Sequence, residues 1–273
     1  MKKTNRLFIV VTAVILIVIM FPFVWVFFAS LKPEMEIFGR LAYNPFTSHP
    51  TLTHYINVIW NKGMPNAIKN SAIVSLATMV YIIVIASLSA YIISRYTFPG
   101  KSLLMGLILA VSMFPQMIVV GPVYNLFLSL GITNSYWVVL PYCTITLPIA
   151  VWILVTHFNQ IPMSLEESAK IDGCSSIQTL IRIIFPLAAP GVFTTGIIVF
   201  IAAWNEFLLT ITLNTNVNYH TVPVAISFLR TQFQILWGDT TAATILVTIP
   251  TLIIVLVFQK QVVSGIISGA VKE

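Results

Sequence analysis

Three of the chain's eight acidic side chains crowd into one polar stretch, Ile161-Pro162-Met163-Ser164-Leu165-Glu166-Glu167-Ser168-Ala169-Lys170-Ile171-Asp172-Gly173. Ser164 with Glu167 three residues on has the spacing of a capping box. The hydroxyl can accept the amide of 167 while the carboxylate reaches back to the amide of 164. Gly173 supplies the left-handed residue that ends such a helix. Ser175 with Gln178 repeats the start pattern, and Pro186 stops the second helix. That second helix is expected to carry Ile177, Leu180, Ile181 and Ile184 on one face and Ser175, Gln178 and Arg182 on another. A helix of about eight residues is too short to be stable alone, so two caps around it point to a shape held ready for docking. The plainer reading is an ordinary connector lying at a membrane interface.

Glu206, in Trp204-Asn205-Glu206-Phe207, is the acidic outlier inside an apolar run. A carboxylate at mid-bilayer costs roughly 2.5–3.5 kcal/mol on insertion scales, so it faces protein or water rather than lipid. It either makes a structural pair or, with Asn205, faces a water-filled route for a polar solute. Gln116, Tyr124 and Asn125 are candidates for the same route. Pro115, Pro122, Pro141 and Pro148 interrupt apolar runs, as happens where a transporter exposes backbone or bends.

Other chemistry is excluded by spacing. Gly100-Lys101-Ser102 looks like the end of a phosphate-binding loop, but the first glycine it requires would fall at Arg95. Gly265-Ile266-Ile267-Ser268-Gly269 has helix-dimer spacing but lies beyond the last apolar run. Cys143 and Cys174 are not placed to form a disulfide, and no Cys and His share metal-ligand spacing. His157 reads as an interfacial residue. No catalytic set gathers at one depth, so the chain is expected to be no enzyme and to bind no cofactor or metal itself.

The elements that must position these residues are membrane helices. The 273 residues are 58% hydrophobic and 8% charged, where a soluble domain has about 25% charged residues. Six runs are long enough to span a bilayer as helix, near 7–31, 70–94, 102–127, 135–158, 188–213 and 240–258. The expected fold is therefore an all-α membrane protein, one transmembrane domain over 1–273, with 161–186 as its longest internal connection. An even number of spans puts both termini on one side. The cytoplasmic assignment gathers Lys2, Lys3, Arg6, Arg95, Lys101, Lys170, Arg182, Lys260 and Lys272 there and leaves Lys32, Arg40, Lys62, Lys69 and Arg230 outside. The net charge of +6 then answers anionic lipid headgroups and not nucleic acid. Residues 32–69 and 214–239 form the two large external segments.

The polar stretch resembles the EAA signature of permease subunits of bacterial ATP-binding-cassette importers: Glu167-Ser168-Ala169, three residues, Gly173, nine residues, then Ile183-Ile184-Phe185-Pro186. Ser168 stands where the second alanine is usual, and Phe185 where leucine is usual. Phe98-Pro99-Gly100, Trp204-Asn205-Glu206-Phe207 and the tail Gly269-Ala270-Val271-Lys272 are similar to the carbohydrate-uptake, maltose-permease-like branch. The resemblance implies a chain in the bacterial cytoplasmic membrane that couples to separate ATPase subunits through Ser164, Glu166, Glu167, Ser168, Ala169, Asp172 and Gly173. It also implies an ATPase dimer that holds ATP and Mg, a second homologous permease subunit, and an extracellular or periplasmic solute-binding protein that lands on the external segments. The cargo it implies is a di- or oligosaccharide. A glycerol phosphate or polyol importer, or an ion-coupled secondary transporter, is the alternative.

Overall fold

The computed structural model describes residues 6–39, 42–230 and 235–270. Lys2, Lys3, Arg40 and the tail residues Val271 and Lys272, all used in the sequence reading, lie outside the described residues. In chain order the helices are α1 (Arg6–Ser30), α2 (Glu34–Phe38), α3 (Thr53–Ile56), α4 (Met64–Arg95), α5 (Lys101–Ser112), α6 (Gln116–Ser129) and α7 (Cys143–Asn159). They continue with α8 (Met163–Ile171), α9 (Ser176–Thr179), α10 (Phe185–Leu187), α11 (Ala189–Trp204), α12 (Leu208–Leu213), α13 (Val222–Ser227) and α14 (Trp237–Ala270). Among the described residues the β pairing is one isolated bridge between Arg230 and Ile235.

Four helices are long and apolar enough to cross a membrane: the Phe8–Ser30 part of α1, α4, Tyr136–Asn159 and the Trp237–Ile254 part of α14. Two bent pairs raise the number to as many as six. Lys101–Ser112 and Gln116–Ser129 meet at 89°, and Ser176–Leu187 and Ala189–Trp204 at 85°. The run expected as one span over 102–127 is thus two helices joined through Met113-Phe114-Pro115. Pro115 has no amide to extend the α5 ladder, and its fixed φ instead starts α6. The fifth expected span also divides, since α11 ends at Trp204 and a new turn begins at Leu208.

The chain divides into two compact units, Met1–Pro65 with Ala225–Pro250, and Asn66–Val224 with Thr251–Glu273. In the first, α1 leaves its apolar side chains from Phe8 to Val24 largely exposed, as a lipid-facing helix does. The segment after α1 is pinned to the first turn of α14. The buried His54 ring sits 3.0 Å from Asp239 through Nδ1 and 3.0 Å from the Lys32 carbonyl through Nε2. The Asn57 amide also donates to Asp239.

The second unit holds the larger core. Ile82, Ala86, Ala90 and Tyr91 of α4 meet Ala150, Leu154 and Phe158 of α7, Leu180 and Ile184, and Val192 and Val199 of α11. Helices α7 and α11 come close. Gly191 shows how close: a Cβ built there would lie 2.4 Å from Cγ of His157. The His157 ring therefore packs against bare backbone at Gly191.

Candidate functional site: a capped helix clamped under the bundle

The polar stretch folds as helix, sharp turn, helix, with one change at its start. Pro162, at φ −58° and ψ 136°, is the N-cap of α8, and no side chain caps this end. The expected Ser164–Glu167 box is not formed. Proline starts the helix two residues earlier than a Ser164 cap would, so Ser164 lies within the first turn. Its carbonyl accepts the Ser168 hydroxyl at 2.9 Å.

The far end of α8 is as expected. Gly173 has φ +84°, a left-handed conformation that costs a residue with a Cβ roughly 1–2 kcal/mol. Around it the Cys174 amide bonds the Ala169 carbonyl at 2.9 Å and the Gly173 amide bonds Lys170 at 3.1 Å. This is the Schellman pattern, which satisfies carbonyls that the helix end would leave bare. The next helix opens on the anticipated box, with the Gln178 amide donating to Ser175 Oγ at 3.3 Å and the Ser175 amide to Gln178 Oε1 at 2.8 Å.

The second helix departs from its expected face. Leu180 and Ile184 are buried, but Ile177 and Ile181 are 63% and 62% exposed. Residues Leu180–Ile184 form a π turn, and the helix runs past Pro186 to Leu187 before the chain bends at Ala188. A π turn takes one extra residue, so a strict 3.6-residue face no longer describes the segment. The exposed isoleucines join Ile171, 86% exposed, with Ser164, Glu167, Ser168, Asp172 and Gly173 also at the surface. The result is a mixed apolar and acidic surface on both sides of the Gly173 turn. Ala169 is buried on the opposite side of α8 from Glu167.

Glu166, adjacent to exposed Glu167, points the other way and is 2% exposed. Its Oε1 pairs with Arg95 Nε in the last turn of α4. Its Oε2 accepts the Tyr91 hydroxyl at 3.2 Å. The Arg95 guanidinium also donates to the Ile161 carbonyl at 3.2 Å. The negative charge lies at a helix N-terminus and the positive charge at a helix C-terminus, so both helix dipoles favour the pair. Sequence reading placed Glu166 with the docking residues. It missed Arg95 and Tyr91, which lie some seventy residues away in the chain.

The candidate solute route is brought together only in part. Glu206 is 7% exposed and caps α12: its carboxylate accepts the Leu209 amide at 2.7 Å, the Thr210 amide at 3.1 Å and the Thr210 hydroxyl at 3.2 Å. Tyr142 bonds the same hydroxyl. The acid faces protein, and its lone pairs go to the N-terminus of the broken helix. Asn205 beside it is exposed, though its amide donates to the Ile201 carbonyl at 2.8 Å. Tyr124 packs against the cluster of Phe127, Tyr142, Ala203 and Leu209, with Asn125 exposed next to it. Gln116 is apart from these. It lines a separate cavity of about 360 Å³ with Phe114, Val119 and Thr144 beside the α5–α6 bend.

Residues 82–268 match a family described as binding-protein-dependent transport system inner membrane component. The chain is 38% identical to the trehalose/maltose transport system permease protein MalG of Thermococcus litoralis, over 98% of this chain and 97% of that one. It is 38% identical to the trehalose transport system permease protein SugB of Mycobacterium tuberculosis, over 92% of each chain. Its fold matches a bacterial ABC transporter involved in the import of the acidic polysaccharide alginate at a TM-score of 0.76. The match covers 95% of this chain and 98% of that one at 19% identity.

Proposed function

Because the chain belongs to the family of binding-protein-dependent transport system inner membrane components, we propose that it is one half of the membrane channel of an ATP-driven sugar importer. A transport permease of this family resides in the cytoplasmic membrane and is not itself a catalyst. The cargo we assign is a disaccharide or short oligosaccharide, supported by relatives named for trehalose and maltose transport. The proposed topology is six spans, each bent pair counting as one, with both termini and α8 cytoplasmic.

The observation that carries this reading is the surface around Gly173. A short helix closed by a Schellman turn presents Glu167, Ile171 and Asp172 outward, and the helix after the turn presents Ile177 and Ile181, while the other side of α8 is fixed to the bundle. Exposed apolar side chains rimmed by acids, on a preshaped turn, suit a partner's cleft. The partner we assign is an ATPase pair that binds ATP and Mg; closure of that pair moves α8. A second permease subunit completes the channel, and a solute-binding protein delivers sugar to the external segments. The solute route is assigned to Asn205, Tyr124 and Asn125, with Gln116 further along. Glu206, spent on a helix cap, serves to shape the break at residues 205–207, and this weighs against an ion-relay transporter.

The test is sugar uptake and ATP hydrolysis in proteoliposomes holding the full complex, with Gly173→Asp beside the unmodified chain. Loss of uptake and of sugar-stimulated hydrolysis, with the complex still assembled, is the expected result. Retention of both would return the polar stretch to a plain connector.

A further inference from the structure

The buried face of α8 holds a charged pair that docking does not use. Glu166 and Arg95 have side chains only 2% and 5% exposed, so neither can meet a partner. Replacing a buried ion pair by apolar side chains of similar size is often neutral or stabilising. Stability alone is therefore a weak reason for charge at this spot.

What the pair adds is direction. Arg95 is a planar fork with donors at fixed angles, and it engages two elements at once. One donor goes to Glu166 in the first turn of α8, and another to the Ile161 carbonyl in the link from α7 to α8. Tyr91, one helical turn before Arg95, holds the remaining oxygen of Glu166. Glu166 and the start of α8 cannot shift away from the end of α4 without breaking a charge-assisted bond in a dry setting.

Helix α4 carries that constraint a long way. Its 32 residues extend about 48 Å at 1.5 Å per residue. Near its other end Asn70 donates to the Asn218 and His220 carbonyls at 2.8 and 3.0 Å and accepts the Tyr136 hydroxyl at 2.8 Å. One continuous helix thus joins the capped lever to the loop at 214–220.

We propose that Arg95 and Glu166 are positioning residues that make α8 and α4 move as one body, so that displacement of the lever reaches the far side of the channel along α4. The proposal rests on α8 being the ATPase-coupling segment.

The experiment replaces the pair by Arg95→Met with Glu166→Met in the assembled complex, a change that leaves no unpaired charge. Sugar taken up per ATP hydrolysed is the readout, because a purely structural role would alter yield or thermal midpoint without altering that ratio. Hydrolysis is expected to stay within about twofold while uptake falls about tenfold, the size of effect expected when a coupling contact and not a catalytic group is removed. Glu166→Gln, of nearly unchanged shape, is expected to lower the ratio in the same direction. An unchanged ratio in the Met pair overturns the proposal. Gly173→Asp run in parallel separates the two failures. If Gly173→Asp abolishes transport but the Met pair keeps its ratio, only the transmission along α4 is wrong; if Gly173→Asp is silent, the coupling assignment itself falls.

Discussion

The two ends of α4 are fastened by different chemistry. At the Arg95 end one charged fork does the work, with Glu166, Tyr91 and the Ile161 carbonyl as its partners. At the Asn70 end the fastening is neutral and shared among many groups. Asn214 accepts the Ser135 amide at 3.0 Å and donates to the Ser135 and Tyr219 carbonyls at 3.2 and 3.4 Å. Asn134 accepts the Asn216 amide at 2.7 Å and the Thr215 hydroxyl at 3.3 Å. Ser71 accepts the Val222 amide at 2.8 Å. A single charged fork locks the two helices at one point, so removing either member orphans the other. A mesh of neutral amides spreads its hold over many groups and behaves as a weld.

The largest effect that tests this contrast comes from removing one member of the charged pair. Glu166→Ala should leave Arg95 buried and uncompensated, lowering stability by about 3–5 kcal/mol. The thermal midpoint of the detergent-solubilised complex checks it. The second substitution Arg95→Met should recover most of that loss, because the penalty belongs to the orphaned charge. If a second substitution gives no recovery, the pair is not the isolated unit described.

The weld should respond differently. Asn214→Ala removes three hydrogen bonds and strands the Ser135 and Tyr219 groups, at a cost of roughly 2–3 kcal/mol. No single partner substitution should restore it, since the orphans are backbone groups of two separate residues. Rescue of Asn214→Ala by one second-site change would erase the distinction between the two ends.

How much of this could be read beforehand follows the same division. The helix, turn and helix around Gly173 were legible because their signals are local: Gly173 needs a left-handed backbone, Ser175 and Gln178 are three residues apart, and both are realised. The expected start was wrong because Pro162 competes with Ser164 for the cap, and the earlier start turned Glu166 inward while Glu167 stays out. Nothing in the sequence separates two adjacent glutamates until helix phase is known. The prolines announced breaks at Pro115 and near Pro186, but not that the chain turns through 89° and 85°. The asparagine mesh left no trace, since Asn70 finds its partners 66 to 150 residues away. Glu206 was visible as an outlier, yet its use as a cap depends on α11 ending at Trp204, which no periodicity marks.

The smallest expected effect is a pH dependence carried by the weld. His220 is buried at the Asn70 end, and burial pushes its imidazole below the ordinary value of 6.5, with hydrogen bonds to the backbone of Thr215 and Asn214 partly opposing the shift. The folded chain therefore favours the neutral ring more than the unfolded chain does. The stability this contributes is complete above the unfolded value of 6.5 and is lost as pH falls through the lower folded value. On acidification the amides of residues 214–221 should lose hydrogen-exchange protection before those around Arg95 do. His220→Gln should flatten that response, since glutamine does not titrate. The difference between the two chains is the quantity to measure, because it isolates the contribution of this one ring. Equal pH profiles for both would show that protonating His220 does not loosen the Asn70 end, and that its weld is held by the asparagines alone.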